Sequence, residues 1–365
     1  MDSTLRRQGL RDERIRASRQ YADGRFRNLM VDPATAARAL GDPRPPTPPM
    51  SLMKEFFFRR GRRTPPGPLP LERPHAAWRR PSQTGLRVTW LGHSTLLVEL
   101  DGRRLLLDPV FGERASPLDV LGPRRFHPVP VALDELPPLD AVLLSHDHYD
   151  HLCRETMTRL ARTRVPIVTA LGVGRHLERM GVDAGRITEL DWHEAAEVAG
   201  LHFTATPAQH FSGRSFGDRN KTLWASWVVR GERHKIFFSG DTGLTPLFAD
   251  IGRAHGPFDL VMLEVGAFHP SWGTIHLGPE NALTAHAMLG GGTLLPVHWG
   301  TFNLALHDWD EPAETLVRVA AERGQRVITP RLGLPIEPAQ VEGPTPWWRE
   351  VAPAGARLAR VLTPS

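Results

Sequence analysis

Four side chains able to hold a metal ion fall within six residues of this chain. They are His146, His148, Asp150 and His151, set directly behind the apolar run Ala141–Leu144. Three imidazoles crowded into one bend repel when protonated, so a bound cation is a natural reason to gather them. A loop at the C-terminal end of a strand lets such side chains fan into one cleft. His146 and His148 then point one way, while Asp150 and His151 continue round the bend toward a second point. Neutral imidazole and carboxylate are ligands for zinc, and also for iron or manganese. The one cysteine, Cys153, excludes a site built from several thiolates and an intramolecular disulfide framework. It reads as a small packed side chain.

Three further residues of the right chemistry each follow an apolar strand-like run. His210 follows 202–206. Asp241 follows 235–238 within Ser239-Gly240-Asp241-Thr242-Gly243, where glycine lets the backbone turn tightly about the carboxylate. His298 follows 293–297. Residues placed this way can converge on one edge of a sheet. Residues 86–100 read as a strand and 103–109 as its return, with Asp101-Gly102 as the tight turn between them. Other strands are expected at 141–144, 166–170, 222–230, with a turn at Gly231, and 260–264. Helices are expected at 154–162, 172–180, 279–289 and 313–322. Strand–helix units mixed with hairpins predict an α/β domain whose helices cover its sheets.

The basic character of the chain sits at its start. Residues 1–85 carry 18 Lys and Arg against 8 Asp and Glu, and 12 of the 34 prolines. Proline pins φ and removes a backbone donor, so this part predicts an extended basic Pro-rich N-terminal arm with short helical pieces, such as 33–40. Residues 86–340 are then the main domain and 341–365 a C-terminal tail. Within the arm, Phe56, Phe57 and Phe58 stand beside Arg59 and Arg60. They either dock the arm on the domain or make a peripheral contact with an anionic membrane. No nucleic-acid module signature accompanies the arginines, so no nucleic-acid partner is expected. The first 20 residues lack the apolar core of a secretory signal, and no apolar run is long enough to span a bilayer. A cytoplasmic protein is the expectation, with membrane association through the arm as the alternative.

His-x-His-x-Asp-His followed by a lone His, a Gly-Asp and a late His resembles the metallo-β-lactamase superfamily of dinuclear metallohydrolases, over residues 86–336. Thr206-Pro207-Ala208-Gln209-His210, the segment from Phe216 to Trp224, Val297-His298-Trp299-Gly300-Thr301-Phe302 and Arg25-Phe26-Arg27-Asn28 resemble its N-acyl-phosphatidylethanolamine-hydrolysing phospholipase D branch. The late segments are similar, more loosely, to the ascorbate-6-phosphate lactonase branch. The resemblance implies a four-layer αβ/βα sandwich, two mixed β-sheets flanked by helices, with its metals at one edge. It implies two Zn2+ ions, Mn2+ or Fe2+ being the alternatives. His146, His148 and His210 would hold the first, Asp150, His151 and His298 the second, and Asp241 would bridge them. Two dications a few ångströms apart repel unless anions lie between them.

Asp150 and His276 are implied as catalytic, His276 facing the substrate. His93 and Asp108 are expected to support ligands from behind. Asp147 is expected in the same supporting role, although the phospholipase branch usually has another polar residue there. Tyr149 either packs under the loop or bonds to a ligand. Arg214, Arg219 and Lys221 either receive a phosphate or tie a loop. The implied function is a phosphodiesterase acting on a phospholipid-like, N-acylphosphatidylethanolamine-type substrate through a hydroxide bridging two metals. The alternative is hydrolysis of a lactone or carboxylic ester. A nuclease is not expected, since only 56 residues separate Asp241 from His298, which leaves little room for an inserted domain. A diiron redox enzyme usually replaces one early histidine by a carboxylate, and here both are present.

Overall fold

The computed structural model describes residues 3–29, 62–118, 120–215, 217–269 and 275–352. The helix expected at 33–40 and the phenylalanines at 56–58 lie outside them. Among the described residues, two large sheets form the body. The first begins with the antiparallel strands β3 (Leu86–Gly92), β4 (Thr95–Leu100) and β5 (Arg103–Leu107). Parallel strands β6 (Ala141–Leu144), β7 (Ile167–Ala170) and β8 (Ile187–Leu190) continue it, joined through helices α3 (Arg154–Leu160) and α4 (Gly174–Arg179). The second sheet starts as a meander of β9 (Ala195–Val198), β10 (Leu201–Thr206), β11 (Ser226–Arg230) and β12 (Lys235–Phe238). It ends in parallel strands β13 (Leu260–Glu264) and β14 (Thr293–Val297), reached through α5 (Leu247–His255) and α6 (Gly278–Met288). Helix α7 (Glu311–Glu322) packs on α6, α6 on β13, and α4 on β8. One apolar core runs through both sheets. The expected mixed sheets flanked by helices are present.

Strand direction places the chemistry. β3, β5 and β6 point the same way, and so do β10, β12, β13 and β14. The residues at their C-terminal ends therefore gather along an edge, the position where α/β sheets carry their ligands. His93, Asp108 and His146 come from the first sheet; His210, Asp241, Glu264 and His298 come from the second. Strands β6 and β13 are buried along their whole length, which is why β6 reads as an apolar run and β13 as one up to Glu264.

Several expectations change. The run 86–100 is two strands, because the chain turns at His93-Ser94, with His93 at φ 53°. β8, β9 and α5 were not foreseen. The Ala-Ala-Glu-Val of β9 is half-exposed and has little β-forming character. In α5, Gly252 interrupts the helical signal, yet a Cβ there would lie 2.4 Å from the Met288 carbonyl oxygen, so close packing on α6 needs glycine.

The arm is not extended throughout. Residues 3–17 form helix α1 (Ser3–Ala17), which docks through Arg11. Its guanidinium lies 2.5 Å from both Glu178 and Glu189 and is largely buried. A short hairpin of β1 (Tyr21–Ala22) and β2 (Arg25–Phe26) then buries Phe26 completely. At the other end, the stretch expected as a tail buries Trp347 and Trp348. Trp347 stacks on Trp299 at 5.5 Å, directly behind His298. No helix among the described residues is long and apolar enough to cross a membrane.

Candidate metal centre

The loop after β6 and His210, four residues beyond the end of β10, build one half of the site. His146 Nε2 and His148 Nδ1 lie 2.9 Å apart, and His210 Nε2 lies 3.2 Å from His148 Nδ1. Asp241 Oδ2 faces this trio, 3.8 Å from His146 Nε2 and 3.6 Å from His210 Nε2. In the other half, His298 Nε2 lies 3.3 Å from Asp150 Oδ2, and His151 Nε2 lies 3.6 Å from the same oxygen. Asp241 reaches this half as well, its Oδ1 being 3.1 Å from His151 Nε2 and its Oδ2 3.2 Å from His298 Nε2. The seven side chains singled out from the sequence thus share one buried cluster. Their donor atoms fall into groups in which all lie within 4.8 Å of one another.

The donor set fits a pair of divalent cations. Nε2 of His151, Nε2 of His298 and Oδ1 of Asp241 are buried without a hydrogen-bond partner. Orphaned buried polar atoms are rare in folded proteins. Here they sit close together yet lack hydrogen-bond geometry, as atoms do when aimed at a shared point.

The outer ring nitrogens of His146, His151 and His210 are anchored, which presents their inner ones as lone pairs. His146 Nδ1 pairs with Ser145 Oγ at 2.9 Å, and His210 Nδ1 with the Ile275 carbonyl oxygen at 2.9 Å. His151 Nδ1 lies 2.6 Å from Asp108 Oδ2. Asp108 also accepts from the Ser145 backbone N–H at 2.7 Å, so one buried carboxylate fixes both ends of the histidine loop. Asp108, His93 and His298 all adopt positive φ, at 35°, 53° and 64°. Such backbone persists where surrounding structure enforces it, and it clusters at functional sites. An Asp108→Asn protein is expected to bind zinc about 10–100-fold more weakly. Competition with a chromophoric chelator measures this, and unchanged affinity would contradict the supporting role.

Electrostatics divides the two halves. Burial drives His146 and His210 well below the ordinary imidazole range and lowers His148, so these rings are neutral, the form that ligates. Burial opposes charge on His298 too, but Asp241 and Asp150 outweigh it and push its pKa up to about 10. His151 is raised in the same way by Asp241, Asp150 and Asp108. Asp150 and Asp241 are held well below the usual carboxylate range, because neighbouring imidazoles outweigh their burial.

The remaining expected residues fall into place around the cluster. His93 Nε2 lies 3.0 Å from Asp150 Oδ2, and its ring packs 4.0 Å from that of His298. Asp147 is buried and accepts from Gly213 N at 2.8 Å and Thr222 Oγ1 at 2.9 Å. Tyr149 Oη donates to the Arg214 carbonyl at 2.7 Å, rather than to a ligand. Arg214 lies over the Tyr149 ring and donates to the carbonyls of Asp147 and Leu152. Arg219 covers Phe211, and Lys221 donates to the Gly24 carbonyl. Arg214 and Lys221 tie loops together. His276 is near the cluster, its ring 5.1 Å from that of His210 and 5.5 Å from that of His298. Its Nδ1 donates to Glu264 Oε2 at 2.8 Å. Glu264 was missed. Its other oxygen accepts from Thr242 N at 2.8 Å and Leu277 N at 3.3 Å, so protein groups hold both oxygens of this carboxylate.

A sandwich of two mixed sheets with imidazoles and carboxylates at the strand ends of one edge defines a class, the metal-dependent hydrolases of this fold. A family model described as Beta-lactamase superfamily domain matches residues 103–299, and the chain belongs to the metallo-β-lactamase superfamily. An uncharacterized protein of Mycobacterium tuberculosis is 45% identical over 336 residues, which cover 91% of this chain and 88% of that one. The N-acyl-phosphatidylethanolamine-hydrolyzing phospholipase D 1 of Caenorhabditis elegans is 37% identical over 248 residues, 64% of this chain and 70% of that one. Among solved structures, the isothiocyanate hydrolase from Delia radicum gut bacteria aligns with a TM-score of 0.55 at 23% identity. That alignment covers 69% of this chain and 98% of the hydrolase, and it supports the fold alone.

Proposed function

We propose that this chain is a dinuclear zinc hydrolase that cleaves a phosphodiester of a phospholipid-like substrate of the N-acylphosphatidylethanolamine type. The observation that carries the reading is Asp241, whose two oxygens face both halves of the cluster. His146, His148 and His210 would hold one ion, Asp150, His151 and His298 the other, with Asp241 between them. When bound, the ions supply a water of lowered pKa and positive charge toward a phosphoryl oxygen.

The chain's own groups would do the rest. Glu264 fixes the His276 ring by accepting its Nδ1 proton. Burial opposes charge on His276, but Glu264 outweighs it and raises its pKa. A raised pKa suits the ring to donating a proton to a leaving oxygen. The substrate class rests on the resemblance to the worm phospholipase D.

Zinc- or manganese-loaded protein should release phosphatidate from N-acylphosphatidylethanolamine in mixed micelles. Turnover of lactones with none of the phosphodiester would overturn the substrate assignment. A His276→Ala protein should lose about 10²–10⁴-fold in kcat while keeping its metal content. Loss of metal instead would place His276 among the ligands.

A further inference from the structure

His210 lies in the stretch 207–225, whose described residues belong to no helix or strand. Its backbone has no ladder to join, yet a buried N–H and C=O both need partners. One side chain meets both needs. Asn28 Nδ2 donates to the His210 carbonyl at 2.9 Å, and the His210 N–H donates to Asn28 Oδ1 at 3.0 Å. The Trp224 indole N–H also donates to Asn28 Oδ1, at 3.1 Å. This amide is itself held by the hairpin before it. Phe26 is fully buried, its N–H donates to the Asn220 carbonyl at 2.8 Å, and Asn220 Nδ2 returns to the Phe26 carbonyl at 3.1 Å. A residue 182 positions away in sequence thus does for His210 what a neighbouring strand would do. Only a side chain that both donates and accepts can close this pair. Asparagine does, aspartate keeps only the accepting half, and alanine keeps neither.

We propose that Asn28 is a positioning residue for one ion of the pair: it fixes the backbone of His210 and so sets the affinity of the His146–His148–His210 group, leaving the Asp150–His151–His298 group unaffected. The inference rests on the reading that these two groups hold separate ions. Its signature is a split between two affinities, which general destabilisation would not produce.

Zinc titration of the full-length protein against a chromophoric chelator tests it. Wild-type protein should take up two ions per chain. Asn28→Ala should weaken one of them about 10–100-fold, the range seen when ligand-orienting partners are lost, with the other unchanged. Asn28→Asp, which keeps the bonds from the His210 N–H and the Trp224 indole, should fall between the two. Lys221→Ala serves as the structural control. It removes the bond from Lys221 Nζ to the Gly24 carbonyl on the same N-terminal segment, and should leave both affinities as in wild type. Two unchanged affinities in Asn28→Ala would overturn the inference alone. Equal weakening of both ions, or the same loss in Lys221→Ala, would overturn it too, in favour of a purely structural segment. Wild-type protein that binds no zinc would instead overturn the metal-centre reading beneath it. Should Asn28→Ala fail to fold, Asn28→Asp carries the test, and a wild-type profile there would overturn the inference.

Discussion

Asp241→Ala protein is expected to lose hydrolytic activity by more than about 10³-fold and to bind neither ion at wild-type affinity. The expectation follows from position. Asp241 is buried, and its carboxylate lies within 3.1–3.8 Å of imidazole nitrogens from four different histidines. Removing a residue that merely orients a ligand costs about 10–100-fold in metal affinity. On the proposed reading, removing a carboxylate shared by both halves would remove a ligand from each ion and the negative charge that screens one from the other. Circular dichroism would establish that the variant folds, and metal analysis with turnover would read the effect. Activity within tenfold of wild type would be incompatible with a bridging role.

Trp347→Ala should destabilise the fold by about 3–5 kcal/mol, the range for deleting a large buried aromatic side chain. Trp347 is fully buried and packs against Trp90, Trp299, Trp309 and Trp348. Trp299 follows His298 directly, so the cavity would also loosen the backbone that carries this ligand. Urea denaturation of the ion-free protein measures the first effect. A cost below about 1 kcal/mol would mean that residues 345–351 are an appendage after all, as their sequence position had implied.

What was legible in the sequence was local. His146, His148, Asp150 and His151 stand together in the chain, and the run Ala141–Leu144 marks the strand that ends beneath them. His210, Asp241 and His298 could be found because each follows an apolar run, and strand direction then brings them to one edge. Glu264 was hidden because the last residue of a strand carries no signal that separates it from the strand itself. Asn28 was hidden because its partner lies 182 residues away, and no periodicity reports such a contact. The turn at His93-Ser94 is marked only by Gly92-His93-Ser94, a short break between two runs of strand-forming residues. Helix α1 was lost for a different reason. It is rich in arginine and docks through Arg11 between two half-buried glutamates, with Ile15 as its buried apolar anchor, so no apolar stripe announces it.

The most direct test of the whole account is the number of divalent ions that one chain binds. Protein stripped with a chelator, dialysed against zinc and weighed intact by native mass spectrometry should carry two ions, and Asp150→Ala should lose the one held with His151 and His298 while retaining the other. A wild-type chain that carries none, or that carries a single ion unaffected by loss of Asp150, would contradict the claim that these seven side chains hold a metal pair.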